Sequence, residues 1–300
     1  MQAIGTDDAE APVSRSFLFV PADSERKLAK AAASDADAII VDLEDSVSAA
    51  NRPKAREIAA AFLGTDVAPD RWVRINPLDT GDSLEDLRAV VASAPTGIVL
   101  PKPYGARDAN QLAKLLEVLE QENDVSPGRI RIMPITTERP AAMFHLHEYA
   151  EATPRIASLT WGAEDLSAAV GATANRDLQG NWLAPYALAR SMCLFAAAAA
   201  SLPAVDTVFT DFKDHAGLAE YASNARRDGF EGMLAIHPDQ VEIINAAFVP
   251  SEAEIERAER IVGYFEENPD AGAVGMNGEM IDRPHWLQAK RILETAERLK

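Results

Sequence analysis

Ala38-Ile39-Ile40-Val41-Asp42-Leu43 is a short apolar run that ends in the acidic pair Glu44-Asp45, and this pattern decides the fold prediction. Similar runs recur along the chain and lead to polar residues, namely Arg74, Lys102, Glu138, Glu164-Asp165, Asp211 and His237. With residues 17–20 at the start there are eight runs, each followed by a helical pattern. Unbroken apolar runs are typical of parallel strands covered on both faces. We therefore predict an α/β fold, a (β/α)8 TIM barrel, whose strands bring these residues to one face at their carboxyl ends.

The domain organisation follows from the same pattern. We predict a disordered lead-in at residues 1–12, the barrel at residues 13–250 and a C-terminal helical extension, acting as a lid, at residues 251–300. Barrel helices are predicted at residues 24–34, 53–63, 83–92, 106–122, 140–152, 185–200, 216–228 and 239–248. Ser83, with Asp86 three residues later, resembles a capping box. The extension is predicted as a helix at 251–267, a loose joint at 268–277 and a last helix at 284–299.

Composition excludes several classes of function. The 300-residue chain has a formal net charge of −18, which argues against nucleic-acid or anionic-membrane binding. A single cysteine, Cys193, excludes a disulfide framework and a Cys-rich zinc site. No apolar stretch is long enough to span a membrane, and the acidic N-terminus does not resemble a secretory signal. A cytoplasmic protein is the expectation.

Glu138 and Asp165 are the predicted metal ligands. They follow neighbouring strands 5 and 6, and Mg²⁺ often takes one or two carboxylates together with waters and substrate oxygens. The alternative is that each carboxylate caps the helix that follows, since acidic residues favour first helical turns.

Arg74 and the Glu44-Asp45 pair are the next candidates. An arginine within an apolar strand is rarely unpaired, so Arg74 is expected to pair with Glu44 or Asp45, to bind a substrate carboxylate, or both. Adjacent strand residues point oppositely, so one acid would support the pocket while the other anchors the loop. Both acids could instead form caps and surface ion pairs. Lys102 has a similar position on strand 4, but a structural role is favoured for it.

Basic residues cluster around the first strand and its helix: Arg15, Arg26, Lys27 and Lys30. In so acidic a chain this local surplus is suited to binding phosphates. The alternative is an ordinary solvated helix face.

Several stretches together resemble the HpcH/HpaI aldolase–citrate lyase superfamily, specifically its citrate-lyase-β-like and malyl-CoA-lyase-like branch. They run in order across nearly the whole chain: residues 15–21, 40–47, 73–77, 137–138, 162–166, 206–208, 236–238 and 280–284. The chain departs from the family pattern at Ala22, at residues 103–105 after Lys102, at Glu279 and in the loop 174–182. These departures affect the acyl substrate and part of the coenzyme A contacts, and leave the predicted metal site intact.

The resemblance implies site roles and an assembly. Mg²⁺ would be held by Glu138 and Asp165, and Arg74 would bind the small acid or the developing enolate. Arg15 and Lys27 would approach the phosphates of coenzyme A, so that Arg74, Glu138, Arg15 and Lys27 are the predicted substrate-binding residues. Asp282, from the lid of a neighbouring subunit, would act as the catalytic acid/base. The implied assembly is a homo-oligomer, a trimer or a hexamer.

The implied activity is carbon–carbon cleavage or condensation. The substrate would be a 3-hydroxy-3-carboxyacyl-CoA such as malyl-CoA or citramalyl-CoA, and the products an acyl-CoA and a 2-oxo acid, with coenzyme A as part of the substrate. One alternative is hydrolysis of the malyl-CoA thioester. Another is a citrate-lyase β subunit that acts on a carrier-protein-bound acyl group.

Overall fold

The computed structural model describes residues 14–276 and 278–299. These residues fall into two compact units, Ser14–Asn245 and a C-terminal unit that begins at Ala246. The predicted lead-in at residues 1–12 lies outside the described residues. In the described part of the chain, no helix is long and apolar enough to cross a membrane.

Eight parallel strands form one sheet in the first unit. Their order is β5-β4-β3-β2-β1-β8-β7-β6, so each strand lies beside its neighbour in sequence and β1 pairs with β8. The strands are β1 Ser16–Pro21, β2 Ala38–Asp42, β3 Asp70–Arg74, β4 Gly97–Leu100, β5 Arg131–Pro134, β6 Leu159–Thr160, β7 Ala204–Asp206 and β8 Gly232–Ala235.

The barrel closes between β5 and β6 through the residues that flank these short strands. The Thr136 backbone N donates to the Thr160 carbonyl at 2.8 Å, and the Ala157 N donates to the Ile132 carbonyl at 2.9 Å. Eight strands in a nearly closed parallel barrel, with helices between them, confirm the predicted fold class.

Eight α-helices accompany the strands: α1 Glu25–Ala32, α2 Arg52–Leu63, α3 Asp82–Val90, α4 Ala106–Glu122, α5 Ala163–Ala169, α6 Ala184–Ala199, α7 His215–Asp228 and α8 Val241–Ala247. Helix α4 has the predicted bounds, and prolines occupy the first turns of α2 and α6 as expected. Helix α5 was not predicted.

Two local predictions are wrong. The segment predicted as a helix at 140–152 forms two 3-10 helices, Pro140–Phe144 and Leu146–Glu151. Its buried Leu146 and Tyr149 are three residues apart, a spacing that suits a 3-10 turn as well as an α-helix. Ser83 does not cap α3, because it lies inside the helix and its hydroxyl donates to the Thr80 carbonyl.

The barrel interior contains residues that alternate along the strands. One buried cluster joins Phe17, Ala38, Ile40, Trp72, Val99, Met133, Ile135, Val205 and Leu234. Gly97 leaves space in this layer, since a Cβ there would lie 2.3 Å from the Trp72 ring. Because side chains repeat with a period of two, Asp42 follows Ala38 and Ile40 on the inward face, and Arg74 follows Trp72.

The C-terminal unit is an α-helical pair with a β-hairpin. It contains α9 Glu252–Glu267, β9 Ala273–Met276, β10 Glu279–Asp282 and α10 Arg283–Arg298. Helix α9 begins as predicted, with a capping box between Ser251 and Glu254. The prediction of a loose joint at 268–277 is wrong for its second half, because β9 pairs with β10 and Ile281 is buried with Ala258, Ile261 and Ala289.

Candidate functional site

Arg74 is the central cation at the carboxyl ends of β2 and β3. Asp42 and Arg74 are partners in the strand register, and the guanidinium donates to both Asp42 oxygens, at 2.7 Å through Nε and at 2.6 Å through Nη2. Its Nη1 lies 3.1 Å from Glu44 Oε2, and Phe19 packs against its face at 4.7 Å. Burial disfavours the charged guanidinium, but Asp42, Glu44 and Glu138 more than compensate, so the pKa of Arg74 is raised. Arg74 therefore stays charged in a fixed orientation.

This arrangement confirms the predicted pairing of Arg74 with Glu44 or Asp45 and adds a partner. Glu44 is one partner, as expected, but Asp45 is not, and the strongest partner is Asp42, which was not proposed for this role. A signal was present in the sequence, since Asp42 and Arg74 each lie near the end of an apolar run, and these runs form the adjacent strands β2 and β3.

Lys102 contacts several acidic residues. Its ammonium contacts Glu44 Oε1, lies 2.8 Å from Asp45 Oδ2 and lies 3.3 Å from Asp165 Oδ1. Its backbone N donates to Glu138 Oε2 at 2.5 Å. The residue favoured for a structural role thus touches four of the predicted site residues.

Glu44 and Asp45 do not point in opposite directions, contrary to the strand-based expectation. They follow the end of β2 and lie in a turn, held by hydrogen bonds from the Glu44 and Ser46 backbone N atoms to Asp42. Both side chains consequently reach Lys102.

Glu138 and Asp165 occupy neighbouring positions after β5 and at the start of α5. Glu138 is 4% exposed, and the Asp165 side chain is 35% exposed. Burial, the nearby Asp165 charge and then the Glu44 charge raise the pKa of Glu138 well above its ordinary value. Gly162 makes room for Glu138, because a Cβ at position 162 would lie 2.7 Å from Glu138 Cγ. The two predicted metal ligands therefore lie close together.

The oxygen atoms here suit a hard divalent cation. Two carboxylates are enough for Mg²⁺, which usually keeps several waters. The buried Glu44 Oε2 accepts no hydrogen bond, although Arg74 Nη1 lies 3.1 Å from it. Within residues 14–276 and 278–299, no group of three or more His, Cys, Asp or Glu side chains forms a metal cage. These residues therefore fit an open Mg²⁺ site, in which the protein supplies few of the ligands.

A cavity of about 480 Å³ opens beside Lys102. Tyr104, Arg107 and Arg139 form part of its wall, with Asp79 and Asp108. The Arg139 guanidinium lies 4.1 Å from the centre of the Tyr104 ring and pairs with Asp79 at 2.8 Å. Lys102 is thus the residue that the wall of this cavity shares with the carboxylate cluster.

Arg15 is not brought to this face. It precedes β1 and donates to Asp37 at 2.8 Å through Nε and 2.7 Å through Nη2, which joins the amino ends of β1 and β2. The six residues of β1 separate it from the carboxyl ends by roughly 20 Å. A contact between Arg15 and substrate phosphates is not supported by this placement. Lys27 differs, since it is exposed in the first turn of α1, which follows the carboxyl end of β1.

Asp282 ends β10 and precedes α10 in the C-terminal unit. Its Oδ1 lies 2.6 Å from His285 Nδ1, and its backbone N lies 3.2 Å from the same nitrogen. The His285 contact was not anticipated, although an Asp-x-x-His spacing at a helix start is its signal. This contact is a capping box at the amino end of α10, which gives Asp282 a helix-capping role and does not test a catalytic one.

Comparisons with known proteins agree with this geometry. The profile of the HpcH/HpaI aldolase/citrate lyase family matches residues 15–238. The chain is 35% identical over 281 residues to a citrate lyase subunit beta-like protein of Mycobacterium tuberculosis, covering 93% of this chain and 94% of the relative. It is 35% identical over 287 residues to a (3S)-malyl-CoA thioesterase of Cereibacter sphaeroides, covering 94% of each. The crystal structure of M. tuberculosis CitE in complex with magnesium, acetoacetate and coenzyme A matches with a TM-score of 0.78 and 32% identity, over 95% of this chain and 98% of that one.

Proposed function

The chain belongs to the HpcH/HpaI aldolase/citrate lyase family, and on that premise we propose that it is a Mg²⁺-dependent carbon–carbon lyase. Its substrate would be a 3-hydroxy-3-carboxyacyl-CoA such as malyl-CoA or citramalyl-CoA. Cleavage would give an acyl-CoA and a 2-oxo acid, and the reverse reaction would condense them. The magnesium, acetoacetate and coenzyme A bound to the M. tuberculosis relative support this choice of ligands.

One observation carries the proposal: the buried Glu138 and the half-exposed Asp165 both contact Lys102 and concentrate negative charge in one place, and Glu138 also lies near the fixed, charged Arg74. Neighbouring carboxylates repel each other unless cations compensate them. The Lys102 ammonium lies 3.3 Å from Asp165, yet the pKa of Glu138 is still raised by burial and by the Asp165 charge, so a further cation would stabilise the pair. Glu138 and Asp165 would hold Mg²⁺, and Gly162 keeps the space that Glu138 needs. When bound, Mg²⁺ supplies a Lewis acid that polarises the oxygens of the 2-oxo acid.

Arg74 would stabilise negative charge in the reaction. Asp42 accepts one proton from Nε and one from Nη2, and Nη1 lies 3.1 Å from Glu44 Oε2, which leaves N–H protons on Nη1 and Nη2 for a substrate oxygen. A donor that is already oriented stabilises a developing oxyanion without reorganising at the moment of reaction. Arg74 would thus bind the thioester enolate or the small acid.

In the proposed cleavage the substrate loses one proton from its hydroxyl group and gains one proton at carbon. The bond between the hydroxyl-bearing carbon and the carbon next to the thioester breaks, and its electron pair becomes the thioester enolate. The hydroxyl proton goes to a base, and the enolate carbon then accepts a proton to give the acyl-CoA. We assign the proton transfer at the enolate carbon to Asp282 from a neighbouring subunit, in a homo-oligomer proposed to be a trimer or a hexamer. Exposed Lys27 would approach the phosphates of coenzyme A.

A panel of 3-hydroxy-3-carboxyacyl-CoA esters, with Mg²⁺ and with a chelator, tests this function. A lyase releases a 2-oxo acid and an acyl-CoA from at least one ester, and the chelator abolishes the release. Failure to release any 2-oxo acid from malyl-CoA, citramalyl-CoA and their homologues would refute the lyase proposal.

A second candidate function is thioester hydrolysis, favoured by the similarity to a (3S)-malyl-CoA thioesterase. Water would attack the acyl carbon of malyl-CoA, and free coenzyme A and malate would form without glyoxylate. Product identification in the same assay separates the two reactions.

A third candidate is a subunit that acts on carrier-protein-bound acyl groups, favoured by the citrate lyase subunit beta-like relative. Activity on the carrier-bound substrate, with none on the free coenzyme A ester, would support it.

A further inference from the structure

Lys102 has an unusual backbone conformation for a residue with a side chain. Its φ of 50° is in the left-handed region, and it lies between Pro101 and Pro103. This conformation costs free energy in any residue but glycine, and it persists where the surroundings hold it in place. Here both ends of the residue are held, the backbone N by Glu138 and the ammonium by a group of carboxylates.

The Lys102 ammonium shares a carboxylate with the proposed metal. An ammonium carries three protons, and three carboxylates surround this one: Glu44 in contact, Asp45 at 2.8 Å and Asp165 at 3.3 Å. Asp165 is also a proposed Mg²⁺ ligand. The ammonium and the metal are both positive, so they repel each other when both are drawn to the same oxygens.

We propose that Lys102 is a built-in competitor of the divalent cation. In the metal-free protein its ammonium compensates the charges of Glu44, Asp45 and Asp165, and it must leave Asp165 when the metal binds. The inference rests on the proposed function, because it takes Glu138 and Asp165 as the metal ligands.

The displaced ammonium would keep two of its three carboxylates. Glu44 contacts it and Asp45 lies 2.8 Å away, and neither residue is a proposed metal ligand. The ammonium can therefore leave Asp165 without losing all acidic neighbours. When the ammonium moves away, the Asp165 carboxylate becomes available to the metal.

Removing the ammonium should strengthen metal binding. Lys102→Met keeps the length of the side chain and removes the charge, and it leaves the left-handed backbone occupied by a non-glycine residue. We expect its Mg²⁺ dissociation constant to fall by about tenfold or more, because a unit charge near a divalent ion is a strong repulsion. The metal-free variant should unfold at a lower temperature, since the carboxylates are no longer compensated, and saturating Mg²⁺ should raise its Tm more than that of the wild type.

The measurement is titration calorimetry of the full chain with MgCl₂, together with thermal unfolding with and without Mg²⁺. Lys114→Met, an exposed lysine on α4, is the matched control for loss of one positive charge and should bind Mg²⁺ like the wild type. Unchanged or weaker Mg²⁺ binding by Lys102→Met would overturn the inference. Lys102→Gln provides the same test if the Met variant does not fold.

A measurement on the wild-type protein needs no variant. The wild-type protein is treated with a water-soluble ester that acylates lysine amines, and the products are quantified by mass spectrometry. Lys102 should be modified faster when Mg²⁺ is present, because its ammonium is released from Asp165. Lys114 should react at the same rate in both conditions. Equal rates at Lys102 with and without Mg²⁺ would contradict displacement.

Glu138→Gln separates this inference from the proposed function. If Glu138→Gln binds Mg²⁺ like the wild type, the proposed metal site is wrong. If Glu138→Gln loses the binding while Lys102→Met leaves it unchanged, only the competition by Lys102 is wrong.

Discussion

Gly162→Ala should damage the site through one added methyl group. A Cβ at position 162 would lie 2.7 Å from Glu138 Cγ, 3.3 Å from Glu138 Oε1 and 3.3 Å from Ile135 Cγ2. Carbon atoms prefer a separation of about 3.5–4.0 Å, so the Glu138 side chain must retreat by roughly 1 Å. The backbone itself accepts alanine, since Gly162 has φ −122° and ψ 117°. The perturbation therefore acts on the position of Glu138.

The expected effect is larger on activity than on stability. A misplacement of about 1 Å costs about 10²-fold in rate, whereas overpacking costs about 1–3 kcal/mol of unfolding free energy. The assays are kcat/KM for release of 2-oxo acid, the Mg²⁺ dissociation constant, and urea unfolding. Gly81→Ala is the control, because a Cβ there meets nothing within 4 Å. If Gly162→Ala keeps the wild-type kcat/KM and Mg²⁺ affinity, the claim that activity and metal binding depend on the position of Glu138 is refuted.

Three further experiments test other parts of the account. Arg74→Lys keeps the charge but loses the planar fork that binds Asp42, so kcat/KM should fall by about 10²-fold, and near-normal turnover would confine Arg74 to an ion pair. Mixing Asp282→Ala with Arg74→Ala, each inactive alone, should restore part of the activity by subunit exchange, and demonstrated hetero-oligomers without recovery would exclude a role of Asp282 in trans. Arg155→Met leaves the fully buried Glu120 without the two hydrogen bonds from Arg155, of 2.8 and 2.7 Å, and should cost about 3–5 kcal/mol in urea unfolding at neutral pH. Burial opposes ionisation of Glu120, but Arg155 and the backbone N atoms of Ile130 and Gly128 lower its pKa below the ordinary value. The ion pair therefore stabilises the fold fully above the ordinary glutamate pKa of about 4.3, and this stabilisation is lost as the pH falls through the lower pKa of the folded state. A variant as stable as the wild type at neutral pH would show that the pair contributes nothing.

The barrel was predictable because its strands are buried on both faces. Ala38–Asp42 is buried at every position, and such a run is recognisable without any partner. The residues that follow the strands were predictable as neighbours for a second reason, because the carboxyl ends of parallel barrel strands lie at one face. The C-terminal hairpin was not, since Ala273–Met276 is short, half-exposed and rich in small residues.

The ion pairs within the site were only partly predictable. The Arg74–Asp42 pair follows from strand register, which places the last residues of two adjacent strands side by side. The role of Lys102 depends on a left-handed backbone between two prolines, which no periodic pattern indicates. The pairing of Arg15 with Asp37 depends on which end of the strand a residue occupies, and a local excess of basic residues does not contain that information.

The mass balance of malyl-CoA conversion with saturating Mg²⁺ tests the central claim most directly. The account predicts acetyl-CoA and glyoxylate in equal amounts with no free coenzyme A, and loss of both products in Glu138→Gln and Asp165→Asn while the two variants remain folded. If the malyl-CoA consumed yields free coenzyme A and malate instead, or if either variant retains full activity at low Mg²⁺, the proposed lyase site is wrong.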